Sequence, residues 1–158
     1  MPGLRYIKGD ATLPQSDGVA IICHVCNDIG GWGKGFVTAV SKRWSAPEAQ
    51  YRRWYRDGED ASFALGAVQF VQVEPRIWIA NMIGQHGIKR SKAQKPIRYD
   101  AVSECLRQVS LKAIELAASV HMPRIGCGLA GGEWSEIEPL IDRHLIASGV
   151  AVTVYDFE

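Results

Sequence analysis

Apolar and polar residues alternate along this chain with two distinct periods. Short, β-rich apolar runs at 4–7, 19–25, 67–73, 77–83, 120–125 and 150–157 predict strands. Between them the period lengthens to that of a helix. Residues 36–44 and 47–55 read as helical, and Ser45 with Glu48 has the spacing of a capping box for the second of these. The clearest helix covers 99–119, where Val102, Cys105, Leu106, Val109, Ala113, Leu116 and Ala117 share one face. A last helix over 135–147 carries the stripe Ile137, Leu140, Ile141 and Leu145, with Ser135 and Glu138 as a second capping-box pair. Strands that alternate with helices predict an α/β sandwich around a mostly parallel sheet of about six strands. Only Glu74, Pro75 and Arg76 separate the runs at 67–73 and 77–83. That is too short for a parallel crossover, so this pair is expected as an antiparallel hairpin in a mixed sheet.

The chain has 158 residues, 47% hydrophobic and 22% charged, which predicts one globular domain over 1–158. A net charge of +1 gives no global field to draw nucleic acid or membrane. The opening MPGLRYIKGD lacks the apolar run of a secretory leader, and no stretch reaches the length of a membrane span. The expectation is a cytoplasmic monomer with no membrane contact. Four cysteines do not suggest a disulfide scaffold. Cys23 and Cys26 have CxxC spacing, yet residues i and i+3 of a strand face opposite sides. Neither a metal nor a redox pair is expected there, and no cofactor is implied. Cys105 falls on an apolar helix face and Cys127 stands alone, so buried free thiols are the reading for most of the four. From Pro75 to Tyr99 there is no acidic residue, while Arg76, Lys89, Arg90, Lys92, Lys95 and Arg98 fall in that window. The stretch 86–96 reads as a solvated basic loop, placed where it could also meet an acidic or nucleic-acid target.

In folds of this class ligands sit at the carboxyl ends of the strands, and the glycines collect there. After the second strand comes Asn27-Asp28-Ile29-Gly30-Gly31-Trp32-Gly33-Lys34-Gly35-Phe36. After the fifth comes Gly126-Cys127-Gly128-Leu129-Ala130-Gly131-Gly132-Glu133-Trp134, and then a helix. Glycine lets backbone N–H groups approach an anion, and a helix start adds unpaired donors. Two such segments in one domain favour a diphosphate clamp over mere tight turns. Asp10 directly follows the first strand, where it either caps a turn or accepts a hydrogen bond from an amino group. Asn27 is either a turn asparagine or a partner for ribose hydroxyls. No Ser/His/Asp, HExxH or paired-carboxylate signature is apparent.

Together these residues resemble the macrodomain family. GDA follows the first strand, CHVCN precedes a glycine loop, NMIGQ is central, and MPRIGCGLAGGEW is the most specific match. The nearest branch is that of the terminal ADP-ribose protein glycohydrolase and the bacterial DNA ADP-ribose glycohydrolases. The resemblance implies a three-layer macrodomain sandwich that binds ADP-ribose. It implies that Asp10 and Ala11 hold adenine, and that Asn27 with Gly31, Trp32, Gly33, Lys34, Gly35 and Phe36 lines the distal ribose. It gives the diphosphate to Gly126, Cys127, Gly128, Leu129, Ala130, Gly131 and Gly132, and places Tyr155 or Phe157 near adenine. The chain departs from that branch at two positions. Gln85 stands where the branch has its lysine nucleophile, and Ala130 stands where it has an aspartate. Lys34 stands where other hydrolytic macrodomains carry an aspartate.

These departures close the lysine-linked covalent route. The function they leave is hydrolysis of mono-ADP-ribose from modified protein side chains without a covalent intermediate. In it the diphosphate stabilises oxocarbenium-like charge and Gln85 or Asn27 positions a water. ADP-ribosylated nucleic acid is a second possible substrate. A non-catalytic ADP-ribose reader and an ADP-ribose 1″-phosphate phosphatase are the alternatives.

Overall fold

The computed structural model describes residues 3–88 and 95–157. Lys89, Arg90 and Lys92 of the basic window lie outside the described residues. The order of elements is β1 (Leu4–Lys8), β2 (Ala20–Asn27), α1 (Phe36–Arg43), α2 (Ala46–Asp57), β3 (Val68–Glu74), β4 (Ile77–Gln85), α3 (Tyr99–Leu116), β5 (Ser119–Met122), α4 (Trp134–His144) and β6 (Val152–Asp156). The strands form one six-stranded sheet in the order β1-β6-β5-β2-β4-β3. Every pairing is parallel except the β3–β4 hairpin. The mixed α/β sheet expected from the sequence is therefore the one that forms.

β2 runs through the middle and reads as a continuous apolar stretch because helices cover both of its faces. Ile21 and Cys23 join the aliphatic core beneath α3 and α4, with Val102, Leu106, Val109, Ile137 and Ile141. Cys26 faces the other way into an aromatic cluster with Trp32, Tyr51, Trp54 and Phe63 beneath α1 and α2. The two halves of the CxxC thus occupy different cores, as the pleat demands. Cys23, Cys26 and Cys105 are buried free thiols and Cys127 is half-buried. No helix among the described residues is long and apolar enough to cross a membrane.

Several boundaries differ from the sequence expectations. The Ser45–Glu48 capping box does not form: Ser45 is already helical in φ and ψ and makes no side-chain cap. Glu48 instead accepts from Ser41 and Arg52. The Ser135–Glu138 box also fails, because α4 starts one residue earlier with Glu133 at its N-cap and Glu138 is drawn to the Tyr6 hydroxyl. α3 ends at Leu116, since Ala117 turns left-handed (φ 52°) and the Ala118 amide closes the helix onto the Ala113 carbonyl at 2.8 Å. β5 stops at Met122, before Pro123, and leaves Ile125 in the loop.

The parallel arrangement puts the ends of five strands on one edge: Lys8, Asp156, Met122, Asn27 and Gln85. Both glycine segments leave from this edge. They leave from β2 and β5, which are neighbours in the sheet.

Candidate functional site

The first glycine segment is built around one side chain. Asn27 Oδ1 accepts from the amides of Ile29 and Gly31, each at 3.0 Å, and its Nδ2 donates to the Gly31 carbonyl at 2.9 Å. From below, the buried Tyr51 hydroxyl shares its proton between the Asn27 carbonyl (2.7 Å) and Oδ1 (2.9 Å). Burial pushes that hydroxyl well above the ordinary tyrosine range, which keeps it a neutral donor. Asn27 therefore fits the turn reading, and its amide organises the loop. Trp32 folds into the aromatic core and donates to Ser41 at 2.8 Å. Phe36 also packs inward, so Trp32 and Phe36 bring backbone rather than rings to the surface. Gly33, Lys34 and Gly35 are exposed, and Gly35 (φ 82°) turns the chain into α1.

The second segment is held mainly by backbone, with the Tyr99 hydroxyl accepting the Glu133 amide at 3.1 Å. The Gly132 amide donates to the Gly126 carbonyl at 2.7 Å and the Gly131 amide to the Gly128 carbonyl at 3.0 Å. The Ala130 carbonyl takes the Ile97 amide at 3.1 Å, tying the loop to the start of α3. A Cβ on Gly132 would lie 2.5 Å from the Gly126 carbonyl oxygen, so only glycine fits. Ala130 points into the aliphatic core, Cys127 is half-buried, and Gly128 and Leu129 are exposed. Burial raises the Cys127 thiol, with Arg124 opposing, so it is no ready nucleophile.

The two segments meet. A Cβ on Gly35 would touch Leu129 at 3.9 Å. Among the described residues, the amides of Gly33, Lys34 and Gly35 on one side and of Gly128, Leu129 and Ala130 on the other donate to no backbone acceptor. With the starts of α1 and α4 behind them, they supply a double set of free N–H donors, suited to an anion.

At the end of β1, Asp10 Oδ1 accepts from the Thr12 amide (2.8 Å) and hydroxyl (2.7 Å), while Arg43 lies 3.7 Å from Oδ2. Burial favours the protonated carboxyl, but the Thr12 hydrogen bonds and Arg43 outweigh it and leave Asp10 below its ordinary value. Asp10 therefore caps its own turn with one oxygen and keeps the second on the Arg43 side. Ala11 is buried beside it. The two aromatic candidates at the end of β6 separate. Tyr155 is corrected: it is 2% exposed, with its hydroxyl between His121 (2.7 Å) and the Gln15 amide (2.8 Å), inside the fold. Phe157 is 79% exposed at the edge that holds Asp10.

Gln85 closes β4 and donates from Nε2 to the Gly87 carbonyl at 2.8 Å. Beside it lies a contact that the sequence reading missed. His86 Nδ1 is 2.7 Å from Asp28 Oδ2, and Asp28 Oδ1 accepts the Gly87 amide at 2.8 Å. Each partner directly follows a residue nominated from sequence, but no linear spacing links positions 58 apart.

No family model matches this chain. A macrodomain protein from Streptomyces coelicolor is 59% identical, covers 98% of this chain and 99% of its own, and superposes with a TM-score of 0.87. A protein of unknown function from Bacteroides thetaiotaomicron is 60% identical over 98% of both chains, with a TM-score of 0.94. Among curated relatives, the chromodomain-helicase-DNA-binding protein 1-like of Danio rerio is 36% identical over 96% of this chain, which spans only 15% of that protein. An ADP-ribose 1″-phosphate phosphatase of Meyerozyma guilliermondii is 24% identical over 96% of this chain and 99% of its own. A human ADP-ribose glycohydrolase is 23% identical over 96% and 90%. With the sheet, the paired glycine segments and a full-length relative of this identity in agreement, the chain belongs to the macrodomain family.

Proposed function

We propose that this macrodomain binds ADP-ribose at the carboxyl edge of its sheet and hydrolyses mono-ADP-ribose from modified protein side chains. The observation that carries this reading is the pair of facing glycine segments on adjacent strands, with free amides on both sides. One anion needs one such loop; two facing loops fit a diphosphate. Asp10 and the exposed Phe157 lie at the β1–β6 end of the same edge, where an adenine would reach. Gln85 and the β2 loop lie on the other side of β5, where the distal ribose would reach. Relatives named as a glycohydrolase and a phosphatase of ADP-ribose compounds support the same ligand.

Gln85 and Ala130 offer neither a nucleophile nor a titrating acid, so the reaction proceeds without an enzyme–sugar bond. The bound diphosphate stabilises positive charge at the anomeric carbon, and a water attacks. Carriers are mono-ADP-ribosylated proteins, with ADP-ribosylated nucleic acid as the second substrate to assay, and the protein works as a cytoplasmic monomer.

Calorimetry tests the binding half. ADP-ribose is expected to bind at about 1 μM, roughly −8 kcal/mol. Equal affinity for AMP would overturn the two-loop clamp. Release of free ADP-ribose from targets modified on acidic side chains tests the chemical half. Tight binding with no release from protein or nucleic acid would make the module a reader.

A further inference from the structure

We propose that His86 is the general base of this hydrolysis, with Asp28 as its positioning residue; this rests on the hydrolase reading above. The sheet itself brings the pair together. β2 and β4 run in step from Ala20 opposite Ile77 to Cys26 opposite Ile83. The register then slips, so Asn27 stands opposite Gln85 and Gly84 is the extra residue on β4. Gly84 fits because it lies against α3, where a Cβ would come within 2.8 Å of Val102. The slip puts Asp28 level with His86 instead of Gln85. Bulges of this kind re-aim side chains beside reaction sites.

The hydrogen bonds then set the imidazole. Asp28 is only 17% exposed and accepts at both oxygens, from the Gly87 amide and from His86 Nδ1. A carboxylate cannot donate, so Nδ1 carries the proton in this contact and Nε2 is the ring nitrogen left to take one from water. The His86 side chain is 63% exposed, so water and substrate can reach Nε2. Its neighbours are less suited. The Asn27 amide is spent on the loop, and Gln85 is an amide without basicity, already donating to Gly87.

The step balances with water as the co-reactant. The water oxygen bonds to the anomeric carbon, and the bond from that carbon to the carrier oxygen breaks. The electron pair leaves with the carrier's carboxylate. The water proton passes to Nε2 and then to solvent. A merely structural role is a weak alternative, because a single hydrogen bond from a side chain as exposed as His86 contributes only about 1 kcal/mol to stability. For the same reason His86→Ala should fold.

The test uses the full chain and a protein carrying ADP-ribose on glutamate. His86→Ala is expected to lower kcat by about 100- to 1,000-fold. KM and the affinity for free ADP-ribose should change by less than about threefold. Added imidazole should restore part of the lost rate. Asp28→Asn, which still accepts the Gly87 amide, should lose about tenfold in kcat. Parent-rate turnover by His86→Ala would overturn this proposal while leaving the hydrolase reading intact. A loss that imidazole does not restore would make His86 a structural contact and overturn it as well. No turnover by the unaltered protein would overturn both readings.

Discussion

The two glycine segments present the same kind of surface and are held in opposite ways. The β2 segment is shaped by a side chain: Asn27 makes the turn, and Tyr51 anchors Asn27 from the aromatic core. The β5 segment is shaped by main chain against main chain, with Gly132 pressed onto the Gly126 carbonyl. The first can therefore be loosened by removing one side chain, while the second is disturbed most directly by adding one at Gly132. A single glycine-rich pattern in the sequence thus conceals two mechanical designs.

The sharpest break in that comparison is Gly132→Ala. Its Cβ would meet backbone, which cannot rotate away, at 2.5 Å. The loop must shift and lose the 2.7 Å bond to Gly126. ADP-ribose affinity is expected to fall on the order of 100-fold, about 2.7 kcal/mol by calorimetry, with a lowered Tm. Gly128→Ala is the control, since a Cβ there meets nothing within 4 Å, and its Tm should stay within about 2 °C. Equal Tm values for the two variants would refute the backbone-held design.

Acid should act on both strands that carry the segments, through His24 of β2 and His121 of β5. His24 lies under the β2 segment, its ring 5.2 Å from Trp32 and 5.9 Å from Phe36, hydrogen-bonded to Asn81 at 2.6 Å. Burial lowers its pKa to about 4, against the opposing Asn81 bond. His121, held between Ser119 and Tyr155, is lowered to about 4 by burial and then by Arg5. Both folded-state values lie below the unfolded value of about 6.5, so the unfolded chain binds more protons. Their contribution is whole above pH 6.5 and is lost as pH falls toward 4. At pH 5.5 each histidine should have cost on the order of 1 kcal/mol, and the two together a few. A Tm unchanged between pH 7.5 and 5.5 would count against both assignments.

These histidines mark where the sequence could and could not be read. The sheet was legible because β2 and β4 are long, mostly apolar runs and the short link from β3 to β4 allows only a hairpin. The clamp was legible because glycine marks close backbone approach in any context. Helix ends were misread where another side chain outbid the local cap: Arg52, one turn along the same helix, took Glu48, and Tyr6 from β1 took Glu138. Tyr155 and Phe157 looked alike in sequence, but β6 is buried on both faces up to Tyr155 and ends before Phe157. The Asp28–His86 contact depends on a register slip at Gly84, which no local pattern announces.

Asn27→Ala tests the side-chain-held half directly. It deletes the acceptor for the Ile29 and Gly31 amides and the donor to the Gly31 carbonyl, all at 2.9–3.0 Å. Stability should fall by about 2 kcal/mol in chemical denaturation, with a weaker grip on ADP-ribose. Asn27→Asp keeps the acceptor for both amides but loses the donor and sets a charged oxygen against the Gly31 carbonyl, so it should recover only part of the difference. If Asn27→Ala binds and unfolds like the parent, the loop is held by something other than this amide.

The smallest effect tests how far the anchor reaches. Tyr51→Phe keeps the ring in its stack, 5.4 Å from Trp32 and 5.9 Å from Phe63, and removes only the hydroxyl. Asn27 Oδ1 still holds the amides of Ile29 and Gly31, so no oxygen of that side chain is stranded. The Asn27 carbonyl does lose its 2.7 Å donor in a buried setting. The expected cost is about 1 kcal/mol, with ADP-ribose affinity reduced no more than about threefold. Combined with Asn27→Ala, the costs should fall short of their sum, because the Oδ1 contact at 2.9 Å is removed by either change. Strict additivity in that double-mutant cycle would show that Tyr51 supports the core alone, and that the first segment hangs on Asn27 without it.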